Sequence, residues 1–210
     1  MIDPDNVTQY DAPLAWKEEF LLFCACVAGK TAWQQAKKVD AFLQKCREVK
    51  EEWDGEGTSK GLTPFNLIRE LGSADFYRLA TVEEILREVR MGQYTRLTHA
   101  FLELSRVDVD TCTVEDLERI PGIGPKTARF FIVHTRPGAR YGILDTHILA
   151  YLAELRDEKG NPVYKGVPKS TPSDPLVYAR VESAALREAY KAGKTPAAWD
   201  LDIWKSRRKK

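Results

Sequence analysis

Apolar side chains recur at three- and four-residue intervals in one segment after another of this 210-residue chain. Between residues 32 and 53, for example, Ala36, Val39, Leu43 and Cys46 share one face of a predicted helix. This interval matches 3.6 residues per helical turn and predicts amphipathic helices. Glycine or proline separates most of the segments, and the alternation typical of strands is almost absent. We therefore predict an all-α protein of about ten short helices.

Side chains that cap helices mark several of the predicted starts. Thr, Ser, Asp and Asn are favoured just before the first helical residue because their oxygens accept hydrogen bonds from free backbone N–H groups. A proline at the first helical position strengthens the signal. Caps are predicted at Thr31, Thr81, Thr113, Asp174 and Thr195.

Charge, cysteines and hydropathy exclude several classes of protein. The formal net charge is +1, so the molecule as a whole has no strong positive electrostatic field that would attract nucleic acid. The basic residues 205–210 are either a local DNA contact or a solvated terminus. The four cysteines form no Cys-x-x-Cys pair, so we expect buried reduced thiols rather than a metal site. No signal-peptide pattern and no apolar run of membrane length occurs. We expect a monomer inside the cell, in the cytoplasm or nucleoid if the source is prokaryotic.

The stretch ERIPGIGPKTARFF, residues 118–131, combines a tight turn with the start of a helix. Gly122 and Gly124 suit the turn, and Pro125 suits the first helical position because its missing N–H costs nothing there. Free N–H groups at such a turn attract anions, so a DNA phosphate is the expected ligand. The candidate phosphate-binding residues are Gly122, Gly124, Lys126 and Thr127.

Lys126 lies in the first turn of this predicted helix, near the positive end of the helix dipole. The dipole disfavours an ammonium ion at that position, and a neutral lysine amine is a nucleophile. This stretch alone leaves two interpretations open. Lys126 is either a nucleophile or a surface lysine that contacts the same phosphate.

Asp145, in the stretch LDTHIL, precedes another predicted helix and is suited to cap it. The helix from residue 125 to residue 135 is roughly 16 Å long. The linker 136–144 reaches up to about 30 Å when extended, so the chain is long enough to return Asp145 to Lys126. A carboxylate beside an amine can stabilise a developing cation or move a proton. The alternative is that Asp145 only caps its helix.

Two motifs, IPGIGPKTARFF and LDTHIL, together resemble the helix-hairpin-helix DNA glycosylases of the endonuclease III superfamily. Their spacing places Asp145 nineteen residues after Lys126. The likeness extends over about residues 81–155 and includes MGQYTRLTHAFLELSR. The resemblance implies a two-lobed all-α fold with the active-site cleft between the lobes. Residues 1–62 and 151–210 then form one lobe, and residues 63–150 form the other, with the hairpin at about 114–135.

The resemblance also implies the chemistry and the partner, damaged double-stranded DNA. A lysine at the position of Lys126 marks the members that attack C1′ of the damaged nucleotide, displace the base through a Schiff base and nick the strand by β-elimination. An aspartate at the position of Asp145 assists departure of the base and stabilises the sugar cation. His147 is expected to pack near the site, whereas His99 and His134 have no pattern that assigns them a role.

Two differences from endonuclease III narrow the expected cofactor and the expected lesion. That enzyme carries four C-terminal cysteines for an iron–sulfur cluster, whereas no cysteine follows Cys112 here. We therefore expect no cofactor, apart from a cation that the hairpin could bind. The stretch WDLDIW resembles the small archaeal-type 8-oxoguanine DNA glycosylases, in which a similar stretch lies at the base pocket. The base-pocket candidates are Trp204, Asp200 and Phe23, and the expected lesion is 8-oxoguanine opposite cytosine.

Two alternatives stay open at this point. The protein is a glycosylase for another damaged or mismatched base, such as uracil or thymine glycol, or a helix-hairpin-helix module that binds DNA without catalysis. The presence of both Lys126 and Asp145 favours an enzyme over a silent module.

Overall fold

The computed structural model describes residues 1–27, 29–72 and 76–208, of which residues 76–80 are described by their backbone alone. The secondary structure of these residues is α-helical, apart from an isolated antiparallel bridge between Arg156 and Pro162. The predicted all-α class is therefore confirmed. The helices of the described residues are α1 (Leu14–Cys26), α2 (Ala32–Asp54), α3 (Pro64–Gly72), α4 (Phe76–Glu88), α5 (Tyr94–Leu104), α6 (Val114–Glu118), α7 (Pro125–Thr135), α8 (Thr146–Glu154), α9 (Pro175–Lys191) and α10 (Pro196–Arg207).

Helices α9 and α10 begin at the predicted caps. The Asp174 carboxylate accepts hydrogen bonds from the backbone N–H groups of Leu176 at 2.8 Å and Val177 at 3.0 Å. The Thr195 hydroxyl accepts one from the N–H of Ala198 at 3.2 Å. In both helices a proline follows the cap, because the first helical residue needs no N–H.

The predicted cap at Thr81 is wrong. Helix α4 already begins at Phe76, so Thr81 lies inside it, and its side chain is buried beside those of Val82 and Ile85. A Thr-x-x-Glu pattern marks a helix start only where the preceding residues are not helical, and here they continue the same helix. Thr31 directly precedes α2 as predicted, but its side chain makes no capping hydrogen bond.

The chain divides into two compact units. The first consists of Met1–Val7 and Asp11–Gly124, and the second of Thr8–Tyr10 and Pro125–Lys210. This division differs from the predicted lobe boundaries, which stay a prediction together with the two-lobed arrangement and its cleft. Lys209 and Lys210 of the basic tail lie outside the described residues.

Helix α1 is the centre of the first unit. Every side chain from Phe20 to Cys26 is buried, and α2, α3 and α5 pack against the helix. Phe42 of α2 and Phe101 of α5 meet edge to face with their ring centroids 5.2 Å apart. All four cysteines are buried thiols, as predicted. No helix in the described part of the chain is long and apolar enough to cross a membrane.

The second unit contains α7 to α10. Helix α10 packs against α7, α8 and α9, and α8 also packs against α9. Its core includes Leu149, Leu152, Tyr178 and Val181. Trp199 belongs to the same core, where its ring meets that of Tyr151 edge to face at 5.5 Å. This packing fixes the two helix starts that carry Lys126 and Asp145.

Candidate functional site

The five-residue helix α6 precedes the glycine-rich turn and depends on its cap. The backbone N–H of Asp116 donates to the Thr113 hydroxyl at 3.1 Å, and the Asp116 carboxylate accepts from the N–H of Thr113 at 3.0 Å. This reciprocal pair is the capping box predicted at Thr113. The hydrogen bonds from Thr113 lower the pKa of Asp116, because they stabilise the carboxylate.

The turn after α6 is held by one arginine of the same unit. Gly122 has φ +92°, a conformation that favours glycine. The Arg96 guanidinium donates to the carbonyl of Gly122 at 2.8 Å and to the carbonyl of Ala25 at 3.0 Å. Its Nε donates to the Gln93 side chain at 2.7 Å. Arg96 therefore ties the turn to the end of α1 and the start of α5.

Helix α7 begins at Pro125, as the turn pattern predicted. Lys126 and Thr127 occupy its first turn, where backbone N–H groups have no carbonyl four residues earlier in the helix. Lys126 is half-buried, and Thr127 is buried. Among the described residues, no atom outside Gly124 and its two chain neighbours lies within 4 Å of the position that a Cβ would take at Gly124, so a phosphate has room to approach the backbone there. Phosphate binding by Gly122, Gly124, Lys126 and Thr127 stays a prediction.

Lys126 extends over an aromatic ring of its own helix. Its Nζ lies 4.9 Å from the centroid of the Phe130 ring, within the range of a cation–π interaction. The contact limits the directions that a long, flexible side chain can take. Phe130 thus defines where the amine of Lys126 lies.

Asp145 caps α8, as predicted. Its Oδ1 accepts a hydrogen bond from the N–H of Ile148 at 2.8 Å. Burial raises the pKa of Asp145, and the negative charge of Asp200 raises it further. The hydrogen bond from Ile148 and the positive charges of Lys126 and His147 oppose this shift. Lys126 and Asp145 therefore interact electrostatically, each at the N-terminus of a helix.

A partly buried ion pair connects α7 to the segment that leads to Asp145. Nε of Arg129 donates to Glu182 of α9 at 2.9 Å, and the same carboxylate oxygen accepts from the N–H of Gly142 at 2.9 Å. The Arg129 guanidinium also lies 4.4 Å from the centroid of the Tyr178 ring, and Tyr178 donates its hydroxyl hydrogen to the carbonyl of Gly142 at 3.0 Å. Both ends of the candidate site are thereby held against α9.

The base-pocket candidates lie in different surroundings. Trp204 is half-buried on α10, and the Arg208 guanidinium lies 4.7 Å from the centroid of its ring. Asp200 is buried on the same helix and contacts the ring of His134. Phe23 is buried in the core of the first unit, stacked with Phe20 at 6.2 Å. Their contact with a base stays a prediction.

Sequence reasoning missed His134, Arg129 and Glu182. The partners of His134 are 126 and 66 residues away, and Glu182 is 53 residues from Arg129, so no local pattern reveals these contacts. The one available signal is spacing, since Phe130, four residues after Lys126, and His134, four residues further, share a face of α7.

Among the residues that the structure describes, no three or more His, Cys, Asp or Glu side chains cluster in a way that suits a metal ion. The expectations on cofactors stay predictions.

The segment from Asp108 to Arg129 contains α6, the glycine-rich turn and the first part of α7. It matches the family model described as the helix-hairpin-helix motif. Residues 108–129 are a helix-hairpin-helix motif. The motif indicates that the protein binds DNA, because its turn offers backbone N–H groups to a phosphate. The comparisons with curated proteins and with solved structures returned no match.

Proposed function

We propose that this protein is a DNA glycosylase with lyase activity at abasic sites, in which Lys126 is the nucleophile and Asp145 its partner. The observation that carries the proposal is the electrostatic interaction between this lysine and this partly buried carboxylate at two helix starts, one of them within the helix-hairpin-helix motif. A module that only binds phosphate needs the turn and a positive charge. It has no need of a partly buried carboxylate whose charge acts on the lysine.

The proposed reaction starts when the lone pair of Lys126 Nζ attacks C1′ of the damaged nucleotide. The bond from C1′ to the base breaks, and its electrons leave with the base, which takes up a proton. The nitrogen then loses one proton, and its lone pair forms the C=N bond as the C1′–O4′ bond breaks. O4′ takes up a proton, so the sugar ring is open and C1′ carries a protonated Schiff base. Removal of a proton from C2′ finally expels the 3′ phosphate and nicks the strand.

Asp145 has two tasks in this scheme. As a carboxylate it stabilises the positive charge that develops on the sugar while the base departs. Its raised pKa also suits it to take up a proton from the attacking amine. The helix N-terminus holds the carboxylate through the N–H of Ile148, so little reorganisation is needed during the reaction.

The proposed substrate is 8-oxoguanine opposite cytosine in duplex DNA. The resemblance of WDLDIW to the archaeal-type enzymes supports this choice through Asp200, Leu201, Ile203 and Trp204. Trp204 is half-buried, so part of its ring remains available for stacking on a base. The base must leave the helix stack to be read, and an aromatic surface recovers part of that cost.

Borohydride trapping tests the proposal, because hydride reduces a Schiff base to a stable amine. Duplexes with 8-oxoguanine, uracil, thymine glycol or an abasic site are incubated with the protein and borohydride, and covalent complexes are resolved by denaturing gel electrophoresis. We expect a complex with the 8-oxoguanine and abasic duplexes for the wild type and none for Lys126→Gln. The exposed Lys169 supplies the matched control, since Lys169→Gln removes a lysine of the same unit that is not part of α7.

Each other outcome points to a different function. Release of a base without a covalent complex identifies a hydrolytic glycosylase and removes the lyase from the proposal. Trapping on uracil or thymine glycol alone reassigns the lesion. Binding without release of any base identifies a non-catalytic DNA-binding module, and trapping by Lys126→Gln at the wild-type level excludes Lys126 as the nucleophile.

A further inference from the structure

His134, which no sequence pattern assigns to a role, is fully buried on the last turn of α7, and both of its ring nitrogens have partners. Nδ1 lies 2.7 Å from the hydroxyl oxygen of Thr8, and Nε2 lies 3.3 Å from Oδ2 of Asp200. All three residues belong to the second unit. A buried histidine with two polar partners has a defined orientation.

These partners select one tautomer of the neutral ring. A carboxylate only accepts hydrogen bonds, so Nε2 carries the hydrogen that faces Asp200. Nδ1 then presents its lone pair, and the Thr8 hydroxyl donates to it. The result is a chain of hydrogen bonds from Thr8 through His134 to Asp200, which fixes the orientation of the buried carboxylate.

His134 also contacts the neighbours of both candidate catalytic residues. Its ring meets Phe130 edge to face with centroids 4.7 Å apart, and Phe130 is the ring beneath the amine of Lys126. On the other side Asp200 acts on Asp145 through its negative charge. One buried imidazole therefore contacts both the support of the amine and the second carboxylate.

We propose that His134 is a positioning residue that holds the Asp200 carboxylate, whose charge acts on Asp145, and that keeps Phe130 in place beneath Lys126. The inference rests on the proposed function for its catalytic meaning. The link from His134 to Asp200 and Asp145 is a property of the folded protein and is measurable without DNA.

The sign of the effect follows from the charges around Asp145. Asp200 on α10 disfavours the ionised form of Asp145, whereas Lys126 on α7 and His147 on α8 favour it. Asp200→Asn removes the repulsion, so Asp145 ionises at lower pH. Loss of the hydrogen that His134 donates changes the pKa of Asp145 in the same direction, because an Asp200 carboxylate without that donor is no longer held in place and its repulsion of Asp145 weakens.

A pair of variants separates this role from simple packing. The amide nitrogen of Gln reaches the position of Nε2, so His134→Gln retains a donor to Asp200. The shorter Asn reaches only the position of Nδ1, so His134→Asn loses that donor. Both substitutions leave a neutral polar side chain in the same buried site, and a purely structural role predicts the same behaviour of Asp145 in both.

The decisive measurement is nuclear magnetic resonance on the full chain without DNA. Ring ¹⁵N shifts of the wild type report the His134 tautomer, and carboxyl ¹³C shifts report the titration of Asp145. We expect the Nε2–H tautomer in the wild type. We expect the Asp145 midpoint to fall by about 0.5–1 pH unit in Asp200→Asn and His134→Asn and to stay at the wild-type value in His134→Gln. A wild-type Nδ1–H tautomer, or equal midpoints in the two His134 variants, overturns the inference.

Trapping kinetics then test the catalytic meaning. We expect His134→Asn to slow formation of the covalent complex about 10- to 100-fold, with His134→Gln closer to the wild type. Equal trapping rates in wild type and His134→Asn overturn the positioning role in catalysis. If the wild type forms no complex with any lesion, the proposed function has failed. The magnetic resonance result still decides whether His134 acts on Asp145 through Asp200.

Discussion

Asp145 combines a structural contact with an electrostatic one at the scale of a single residue. Its carboxylate caps α8 through the N–H of Ile148, and the same group faces Asp200 and Lys126. These two contributions respond differently to substitution. An amide retains the cap and loses the charge, whereas a methyl group loses both.

We therefore expect Asp145→Asn and Asp145→Ala to lose base release and trapping alike but to differ in stability. Asn caps helices about as well as Asp, and truncation of a cap to Ala costs about 0.5–2 kcal/mol. The free energy of unfolding, measured by urea denaturation with circular dichroism at neutral pH, should be lower for the Ala variant by that amount. Equal free energies for the two variants would show that the cap contributes nothing to stability.

The pH dependence of stability gives a second prediction for the same residue. The folded protein raises the pKa of Asp145 above 3.8, its ordinary value. Its contribution to stability is therefore fully present below 3.8 and is lost as the pH rises through the folded pKa. We expect Asp145→Asn to gain stability relative to the wild type between acidic and neutral pH, as urea denaturation across that range will show.

Asp157 supplies a control of opposite sign. The backbone N–H of Asn161 donates to the Asp157 carboxylate and lowers its pKa. Its contribution is present above the ordinary pKa and lost as the pH falls, so Asp157→Asn should lose stability relative to the wild type as the pH rises. The same trend for both variants would contradict the assignment of the Asp145 shift to burial and to Asp200.

At the scale of elements, the turn between α6 and α7 contains two glycines with different constraints. Gly122 has φ +92°, and a Cβ there would lie 2.9 Å from Cγ of Arg96. At Gly124, no described atom beyond the two neighbouring residues lies within 4 Å of the corresponding position. The first glycine is required by the fold of the turn, and the second leaves open space at the predicted phosphate site.

Gly122→Ala and Gly124→Ala should therefore separate stability from DNA binding. We expect Gly122→Ala to lower the free energy of unfolding by about 1–3 kcal/mol through its backbone conformation and its clash with Arg96. Gly124→Ala should leave stability nearly unchanged and weaken binding to an undamaged duplex, because the added methyl group meets the phosphate. Fluorescence anisotropy with labelled duplex measures binding. Wild-type affinity in Gly124→Ala would exclude a phosphate at that glycine.

Local and distant contacts also differ in how far the sequence predicts them. The caps at Thr113, Asp174 and Thr195 were predictable, because a cap involves residues only two or three positions away. Thr81 shows the limit of this signal, since a capping pattern inside a longer helix looks the same in sequence. For Asp145, the sequence predicted only that the linker is long enough to bring it back to Lys126. The chain of Thr8, His134 and Asp200 was not predictable, because its members meet through tertiary packing.

At the scale of the whole molecule, the formal net charge of +1 limits how the protein attracts DNA. Without a broad positive field, we expect binding to depend on a few phosphate contacts near the helix-hairpin-helix motif. Each neutralised phosphate contributes a slope of about −0.9 to the logarithm of affinity against the logarithm of salt concentration. Four residues were predicted to bind phosphate: Gly122, Gly124, Lys126 and Thr127.

We expect the measured slope to be no steeper than about −3.6, the value for four phosphates, and to be the same for duplexes of different sequence. Lys126→Gln should leave the slope unchanged while abolishing trapping, because a nucleophile aimed at C1′ neutralises no phosphate and its backbone N–H remains. Anisotropy titrations at several salt concentrations provide the measurement. If the slope becomes less steep by about 0.9 in Lys126→Gln, the Lys126 side chain instead neutralises a phosphate.

The segment Thr8–Tyr10 belongs to the second unit, although the residues on both sides of it belong to the first. Its hydroxyl at Thr8 and its N–H at Gln9 both bind His134, 126 residues from Thr8. The ribosome makes this segment long before it makes α7. The nascent chain therefore contains Thr8 and Gln9 well before it contains His134, which they bind in the folded protein. Closing so long a loop is slow, and the environment of His134 is completed late in folding.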